Sequence, residues 1–236
     1  MARILHIETT THVCSVALTN SGQLVTEREN NAGRSHASLL SYFVWEILSE
    51  EQINPGDLEA ISISEGPGSY TGLRIGVSTA KGLCYGAGIP LIAVNTLQSL
   101  TQGLFAHMKT EGQHPGDDAL YVPMLDARRM EVYSAVLDNK NRFIRGVKAE
   151  IIDEYSFNQY LEGHLVYFFG NGSEKCREII KHPNARFIDG IDPSAKHMAT
   201  IAEEKYKKRQ FEDLAYFEPF YLKDFIATTP RKNILG

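Results

Sequence analysis

The chain has 236 residues, a formal net charge of −5, 43% hydrophobic residues and 22% charged residues, an ordinary globular composition with length for one large core or two small ones. The acidic balance excludes a surface that serves throughout as a nucleic-acid platform, though not a local basic patch. Cys14, Cys84 and Cys176 are widely spaced and form neither a CxxC pair nor a disulfide framework; with no signal-peptide pattern and no apolar run of membrane length, the expected location is cytoplasmic, off the membrane.

In chain order, Ile4 to Glu8 reads as a strand, Thr9–His12 as a polar turn and Cys14 to Thr19 as a second strand. After the tight turn Asn20–Gly22, Gln23 to Glu29 reads as a third strand. Ser35 is placed to cap a helix from His36 to Ser49, which is apolar nearly all round and carries no charge between His36 and Glu46. A helix lying on a sheet normally keeps one polar face. Either this helix is buried within the chain, or one face awaits a partner. Ala60 to Ser64 alternates as a strand and runs into Gly66–Pro67–Gly68–Ser69–Tyr70–Thr71–Gly72–Leu73–Arg74–Ile75–Gly76, which opens a helix from Leu73 to Tyr85. That helix is dotted with small residues, and each glycine inside it costs about 1 kcal/mol of helix propensity. Gly86 and Gly88–Pro90 end it, Leu91 to Val94 is a short buried strand, and Asn95 to Met108 is a helix.

The polar segment Thr110 to Asp118 is the best boundary. Beyond it come a strand Tyr121 to Asp126, a turn Ala127–Met130, a strand Glu131 to Leu137, a turn Asp138–Asn141 and a strand Arg142 to Ala149. This repeats the N-terminal order of a strand ending in an acid, a polar turn, a strand, a tight turn and a strand. Ser15–Leu18 and Ser134–Leu137 nearly match in sequence, so the pattern reads as a duplicated βββ unit and two related lobes, with chance similarity as the alternative. A helix Tyr155 to Leu161, a strand Leu165 to Phe169, a helix capped by Ser173, a strand Arg186–Ile188, a helix Pro193 to Arg209 and a loose tail at Thr228–Asn233 complete the chain. The basic helix end at Lys205, Lys207, Lys208 and Arg209 reads as a solvated C-terminus.

A glycine-rich turn feeding a helix N-terminus suits an anion. Yet Gly68 to Gly72 lacks both the spacing and the lysine of a P-loop, and Gly66-x-Gly68 does not continue as a dinucleotide fingerprint. Ser69 is not in a Gly-x-Ser-x-Gly elbow. The eight histidines contain no His-x-x-x-His pair, and His36 has no acidic or histidine neighbour in sequence. Glu8 and Asp126 end equivalent strands. They are the best carboxylates for a phosphotransferase using ATP and magnesium, with β-turn capping as the bland alternative. A peptidase lacks its residues.

Ile4–Thr10, Gly66–Gly76, Thr79–Leu83, Asp126–Ala127–Arg128 and Phe220–Tyr221–Leu222 together resemble the TsaB (YeaZ) family over nearly the whole chain. The resemblance implies an α/β, two-lobed actin-like, sugar-kinase-like (ASKHA) fold of duplicated βββαβα units with the second lobe reduced. Residues 1–109 with a return of about 200–222 form the first lobe, 110–199 the second and 223–236 a tail. It also implies a scaffold subunit that pairs with TsaD, the transferase forming N6-threonylcarbamoyladenosine in tRNAs reading ANN codons, and with the small ATPase TsaE. TsaD-like proteins hold a metal with a His-x-x-x-His pair just after the strand equivalent to Leu91–Val94. Asn95 matches that pattern, but Thr96 and Leu100 stand at the two ligand positions, and neither binds iron or zinc. The resemblance therefore implies no catalysis by this chain alone, no metal and no tightly bound cofactor. ATP and magnesium would enter through TsaE, and tRNA would be met indirectly. Pairing with TsaD, or with a second copy, is expected through the two first-lobe helices, at Leu39, Tyr42, Phe43, Leu73, Val77 and Ala80. Glu8, Thr9, Thr10, Gly68, Ser69 and Thr71 are the candidate remnant of an anion loop.

Overall fold

The computed structural model describes residues 2–31, 36–114 and 116–222. The expected Ser35 cap, the His36 side chain and the tail from residue 223 lie outside the described residues. The first sheet is built from β1 (Arg3–Glu8), β2 (Cys14–Asn20), β3 (Gln23–Asn30), β4 (Ala60–Gly66) and β5 (Leu91–Asn95) in the order β3-β2-β1-β4-β5. The second is built from β6 (Leu120–Asp126), β7 (Glu131–Leu137), β8 (Phe143–Ile151), β9 (Val166–Phe169) and β10 (Ala185–Ile188) in the order β10-β9-β6-β7-β8. In each lobe the first strand pairs antiparallel with the second and parallel with the fourth. Element for element the two orders are identical, so the duplication read from the sequence is real in topology.

Strand β1, between antiparallel β2 and parallel β4, is the middle strand of the sheet and is buried on both faces because helices cover each side. Leu5 and Ile7 face one core, with Val16, Leu18, Ile61 and Ile63. Helices α1 (His36–Glu50) and α2 (Tyr70–Ala87) cover that side with Leu40, Val44, Ile47, Val77 and Ala80. Each large side chain buried there contributes about 1.5–3 kcal/mol. On the opposite face Ile4, Ala17, Ile92 and Val94 meet Ala195, Met198 and Ala202, from a 3-10 turn (Ala195–Met198) and α5 (Ala199–Lys207).

Helix α3 (Thr96–Thr110) falls within the 1–109 segment that the sequence assigns to the first lobe. Its Leu97, Leu100, Leu104 and Met108 nevertheless pack on Tyr121, Leu125, Leu137 and Phe169 of the second sheet. The helix therefore joins the lobes. The second lobe is reduced in its helices: α4 spans only Asn158–Leu161, because Phe157 at φ 67° breaks the expected longer run, and Ser173 precedes one 3-10 turn, Glu174–Cys176. The expected Pro193–Arg209 helix is divided into the 3-10 turn and α5. The basic end of α5 is neutralised from within, since Lys207 and Lys208 pair with Glu203 and Glu204, and Lys205 donates to Ala93 O at 2.6 Å. Residues after α5 return to the first lobe. Glu212 N donates to Leu91 O (2.9 Å), Phe220 N donates to Glu65 O (2.7 Å), and Lys81 Nζ donates to Ala215 O and Phe217 O. Among the described residues no helix is long and apolar enough to cross a membrane.

His6 lies fully buried in β1, with Nδ1 2.6 Å from Ser62 Oγ and Nε2 2.8 Å from Thr19 Oγ1. Burial pulls its pKa down to about 3, so the folded ring stays neutral while the unfolded chain protonates below its usual 6.5. Stability from this group is therefore complete above the unfolded pKa and is lost as pH falls, by about 1.4 kcal/mol per pH unit. Replacing it, as in His6→Gln, should cost about 1–3 kcal/mol at neutral pH through mismatched buried hydroxyls. The same variant should show a shallower loss of stability on acidification than the parent, by that slope, in denaturant titrations across pH.

Candidate functional site

The end of β1 and the glycine loop before α2 form one joined structure. Ser69 caps α2, its Oγ accepting from Gly72 N at 3.3 Å, and Gly88 at φ 67° ends the helix. Ser69 N donates to Thr10 O (2.6 Å), and Thr9 Oγ1 donates to Gly72 O (2.8 Å). A Cβ on Gly72 would lie 2.0 Å from Thr9 O, and one on Gly68 would lie 2.5 Å from Thr10 O. These glycines exist so that backbone can lie against backbone. The consequence for the anion reading is direct: the N–H groups of Ser69 and Gly72 are already bonded, and Thr9 and Thr10 fill the hollow. Of the six candidate residues, Glu8, Thr9, Thr10, Gly68 and Ser69 do come together as a joint in which Glu8, Thr9 and Thr10 are buried and Gly68 is half-buried; Ser69 and Thr71 are exposed.

The two strand-end carboxylates differ. Glu8 is fully buried, with Oε1 accepting from Thr10 N (2.6 Å) and Thr10 Oγ1 (2.5 Å) and Oε2 accepting from Ser64 Oγ. Burial raises its carboxyl pKa above the ordinary value, and these hydrogen bonds oppose that rise. Asp126 is exposed and paired with Lys175. Both Glu8 oxygens are taken up by hydrogen bonds, and Asp126 Oδ1 is held by Lys175 and Arg128 N. At the positions of the metal pair, Thr96 Oγ1 accepts from Gly66 N (3.2 Å) and Leu100 is fully buried among apolar side chains. Both side chains serve packing.

The candidate interface residues are corrected in part. Phe43, Leu73, Val77 and Ala80 are buried in this chain's own structure, and Leu39 packs half-buried against the same core. Their helical spacing points them at the sheet, so in this conformation Phe43, Leu73, Val77 and Ala80 offer a partner almost no surface and Leu39 only part of one. Tyr42 is exposed, and beside it Trp45 is 62% exposed, with ring centroids 5.9 Å apart. The outward stripe of α1 is Ser38, Ser41, Tyr42, Trp45 and Ser49; that of α2 is Thr71, Arg74, Ser78, Gly82 and Tyr85. Between the helices runs a groove of about 560 Å³, bordered by Ser41, Val44, Trp45, Leu48, Thr79 and Leu83. Gly82 and Gly86 have nothing near them, whereas Gly76 is filled by Thr9 Oγ1 and Ile63. Trp45 was missed by the reading of the sequence, although a signal exists: it is the large apolar residue at helical spacing within a stripe of serines.

Two lobes of identical strand order, a β-hairpin leading each and helices joining them define an α/β protein of the actin-like, sugar-kinase-like class. The sequence matches the family described as "TsaD: tRNA N6-adenosine threonylcarbamoyltransferase" over residues 28–231. It is 32% identical to the "tRNA threonylcarbamoyladenosine biosynthesis protein TsaB" of Escherichia coli (strain K12), covering 95% of this chain and 96% of that protein. It is 29% identical to the Haemophilus influenzae protein of the same name, covering 95% and 94%. The fold superposes on YeaZ from Pseudomonas aeruginosa with a TM-score of 0.80 at 23% identity, over 94% of this chain and 100% of that one. The chain belongs to the TsaB (YeaZ) family.

The joint has a testable cost. Gly72→Ala should destabilise the chain by about 3 kcal/mol or more, because the new methyl group meets a carbonyl that cannot move without breaking β1. Gly82→Ala, in open space on the same helix, should be neutral or stabilising by up to about 1 kcal/mol. Paired thermal and denaturant melts of the two variants compare these values.

Proposed function

We propose that this chain is a non-catalytic subunit in the formation of N6-threonylcarbamoyladenosine on tRNAs reading ANN codons. Through the α1–α2 face it pairs with a TsaD-type transferase, and TsaE joins the assembly and brings ATP and magnesium. The observation that carries the reading is full-length similarity to TsaB proteins, together with a sequence whose Thr96 and Leu100 replace the metal-binding pair. The α1–α2 face supports the pairing. It exposes Tyr42 and Trp45 beside a groove, and aromatic anchors of this kind dominate association energies.

A small-molecule phosphotransferase is the contrasting reading, and the geometry counts against it: Glu8 is sealed and Asp126 is ion-paired. Calorimetry of the isolated chain with ATP and magnesium separates the two, and tight binding would favour the phosphotransferase.

In reconstitution, the chain alone should transfer nothing to unmodified tRNA, and adding TsaD, TsaE and the donor-forming enzyme should yield modified nucleoside by mass spectrometry. Robust transfer by the chain alone would sink the scaffold reading. Trp45→Lys should weaken pairing with TsaD by about 2 kcal/mol or more, roughly thirtyfold, while leaving the melting temperature close to the parent's, since Trp45 is solvent-exposed. Leu39→Asp is the less informative variant, because Leu39 packs on the core and its loss would also lower stability. Sedimentation of the chain with and without TsaD reads both the heterodimer and any second-copy pairing.

A further inference from the structure

The β6–β7 turn carries two adjacent arginines, Arg128 and Arg129, at φ 72° and 51°. Both lie in the left-handed region, where a glycine or asparagine is the easy choice. The turn is fixed from beneath. Lys175 Nζ donates to Arg129 O and to Glu131 O, each at 2.7 Å, and pairs with Asp126. Asp126 Oδ1 also accepts from Arg128 N (3.1 Å), and Asn171 Oδ1 accepts from Asp126 N (2.9 Å). Asp126, which flanks the turn on one side as Glu131 does on the other, is thereby committed to Lys175.

Both arginine side chains are exposed. The other arginines of the second lobe have partners: Arg142 with Asp138, Arg145 with Glu150, Arg177 with Asp189, and Arg186 donating to Pro183 O and Ala185 O. Among the described residues the Arg128 and Arg129 guanidiniums have neither a hydrogen bond nor an ion pair. Two unpaired guanidinium forks therefore project from a braced turn, on a chain whose net charge is −5.

We propose that this turn is a phosphate-binding contact for RNA, with Arg128 and Arg129 donating to backbone phosphate oxygens of tRNA. The inference rests on the tRNA-modification reading above and adds to it a direct contact by this subunit. Guanidinium forks match phosphate geometry bidentately. An acidic chain repels RNA over most of its surface, so its share of binding has to be local, and an immobilised turn lowers the ordering cost of a two-point contact.

The test uses the full chain and a fluorescent, unmodified tRNA transcript with an ANN-reading anticodon, in anisotropy titrations over a salt series. Arg128→Gly/Arg129→Gly removes both charges and relaxes the left-handed backbone, so the fold persists, as a thermal melt verifies. At about 50 mM salt this variant should bind roughly tenfold more weakly, with a salt slope shallower by about 1 to 2. Arg128→Lys/Arg129→Lys should recover most of the slope. Equal affinity and slope for parent and glycine variant would overturn the proposal. So would a parent chain that binds no tRNA, or one that prefers poly-glutamate and thereby marks the turn as a contact for an acidic protein. A separate arm replaces a bacterium's own TsaB with this chain and measures the modified nucleoside. No rescue by the parent chain refutes the tRNA-modification reading itself. Rescue by the parent, with equal tRNA binding by the glycine variant, refutes the contact alone.

Discussion

The contact on which the first lobe depends is the seating of Thr9 and Thr10 in the hollow left by Gly68 and Gly72. Two carbonyls occupy the space that two side chains would need, at 2.5 and 2.0 Å from the missing Cβ positions. Through Ser69 N and Thr9 Oγ1 the end of β1 is bonded to the start of α2. The direction of α2 is thereby set by the sheet, and the helix is long enough to carry that direction outward from Tyr70 to Ala87. Its inward residues then fall on Leu5, Ile7 and Ile63, and its outward stripe falls beside α1. A loop that looks like an anion cradle thus serves as a joint, and its glycines are explained by backbone contact without any ligand.

The second lobe repeats the device. Gly170, at φ 94°, and Gly172 lie against Met124 O and the Leu125–Asp126 peptide, at 2.5 and 2.7 Å from their missing Cβ positions. The two joints launch different elements. In the first lobe the joint opens an 18-residue helix, and in the second a single 3-10 turn of three residues. The buried Glu8 has as its counterpart an exposed Asp126 held by a lysine. The duplicated frame has therefore kept its sheet register and its glycine joints while its two ends have acquired different surfaces. The long helical face belongs to one lobe and the braced basic turn to the other.

The sheet architecture was legible because period-2 alternation and turn residues are local signals, and because the strand-turn-strand order recurs in one chain. Family motifs were equally legible, since Gly66–Gly76 is a long run whose residues are nearly all fixed by one packing arrangement. Helix orientation was not. In α1 the outward direction is marked only by small serines at Ser38, Ser41 and Ser49 interleaved with the aromatics Tyr42 and Trp45, a weak signal, and Phe43 could not be told from Tyr42 without the sheet beneath them. In α2 the small residues do not share one role: Gly76 receives Thr9 and Ile63, whereas Gly82 faces open space. The short α4 escaped the reading because Phe157 adopts a left-handed conformation that its own propensity disfavours, and tertiary packing on Phe168 decides the matter. The double role of α3 was not legible either, since sequence order sets it in the 1–109 segment, while its buried residues reach the second sheet as well as the first lobe.

The outward stripes of α1 and α2 are unusual in what they lack. They consist of serines, a threonine, aromatics and a glycine, with no carboxylate among them, and their one charged residue is Arg74, whose guanidinium lies 4.9 Å from the Tyr70 ring centre. Covering such a face strips little water from charged groups, and that desolvation is the term that most often cancels the gain from contact. Small side chains at Ser41, Ser78 and Gly82 let another backbone come near, and Trp45 offers a large rigid area with few rotamers to lose. A monomer gains nothing from leaving a tryptophan 62% exposed, and the local sequence holds it there with serines a turn away on either side. The same helix gives Leu40, Val44 and Ile47 to the core, so the outward set is not spare hydrophobicity left over from folding. The proposed association would draw on residues of α1 that the core does not use, and for that reason a substitution on the outer stripe would weaken the proposed pairing while the fold stays intact.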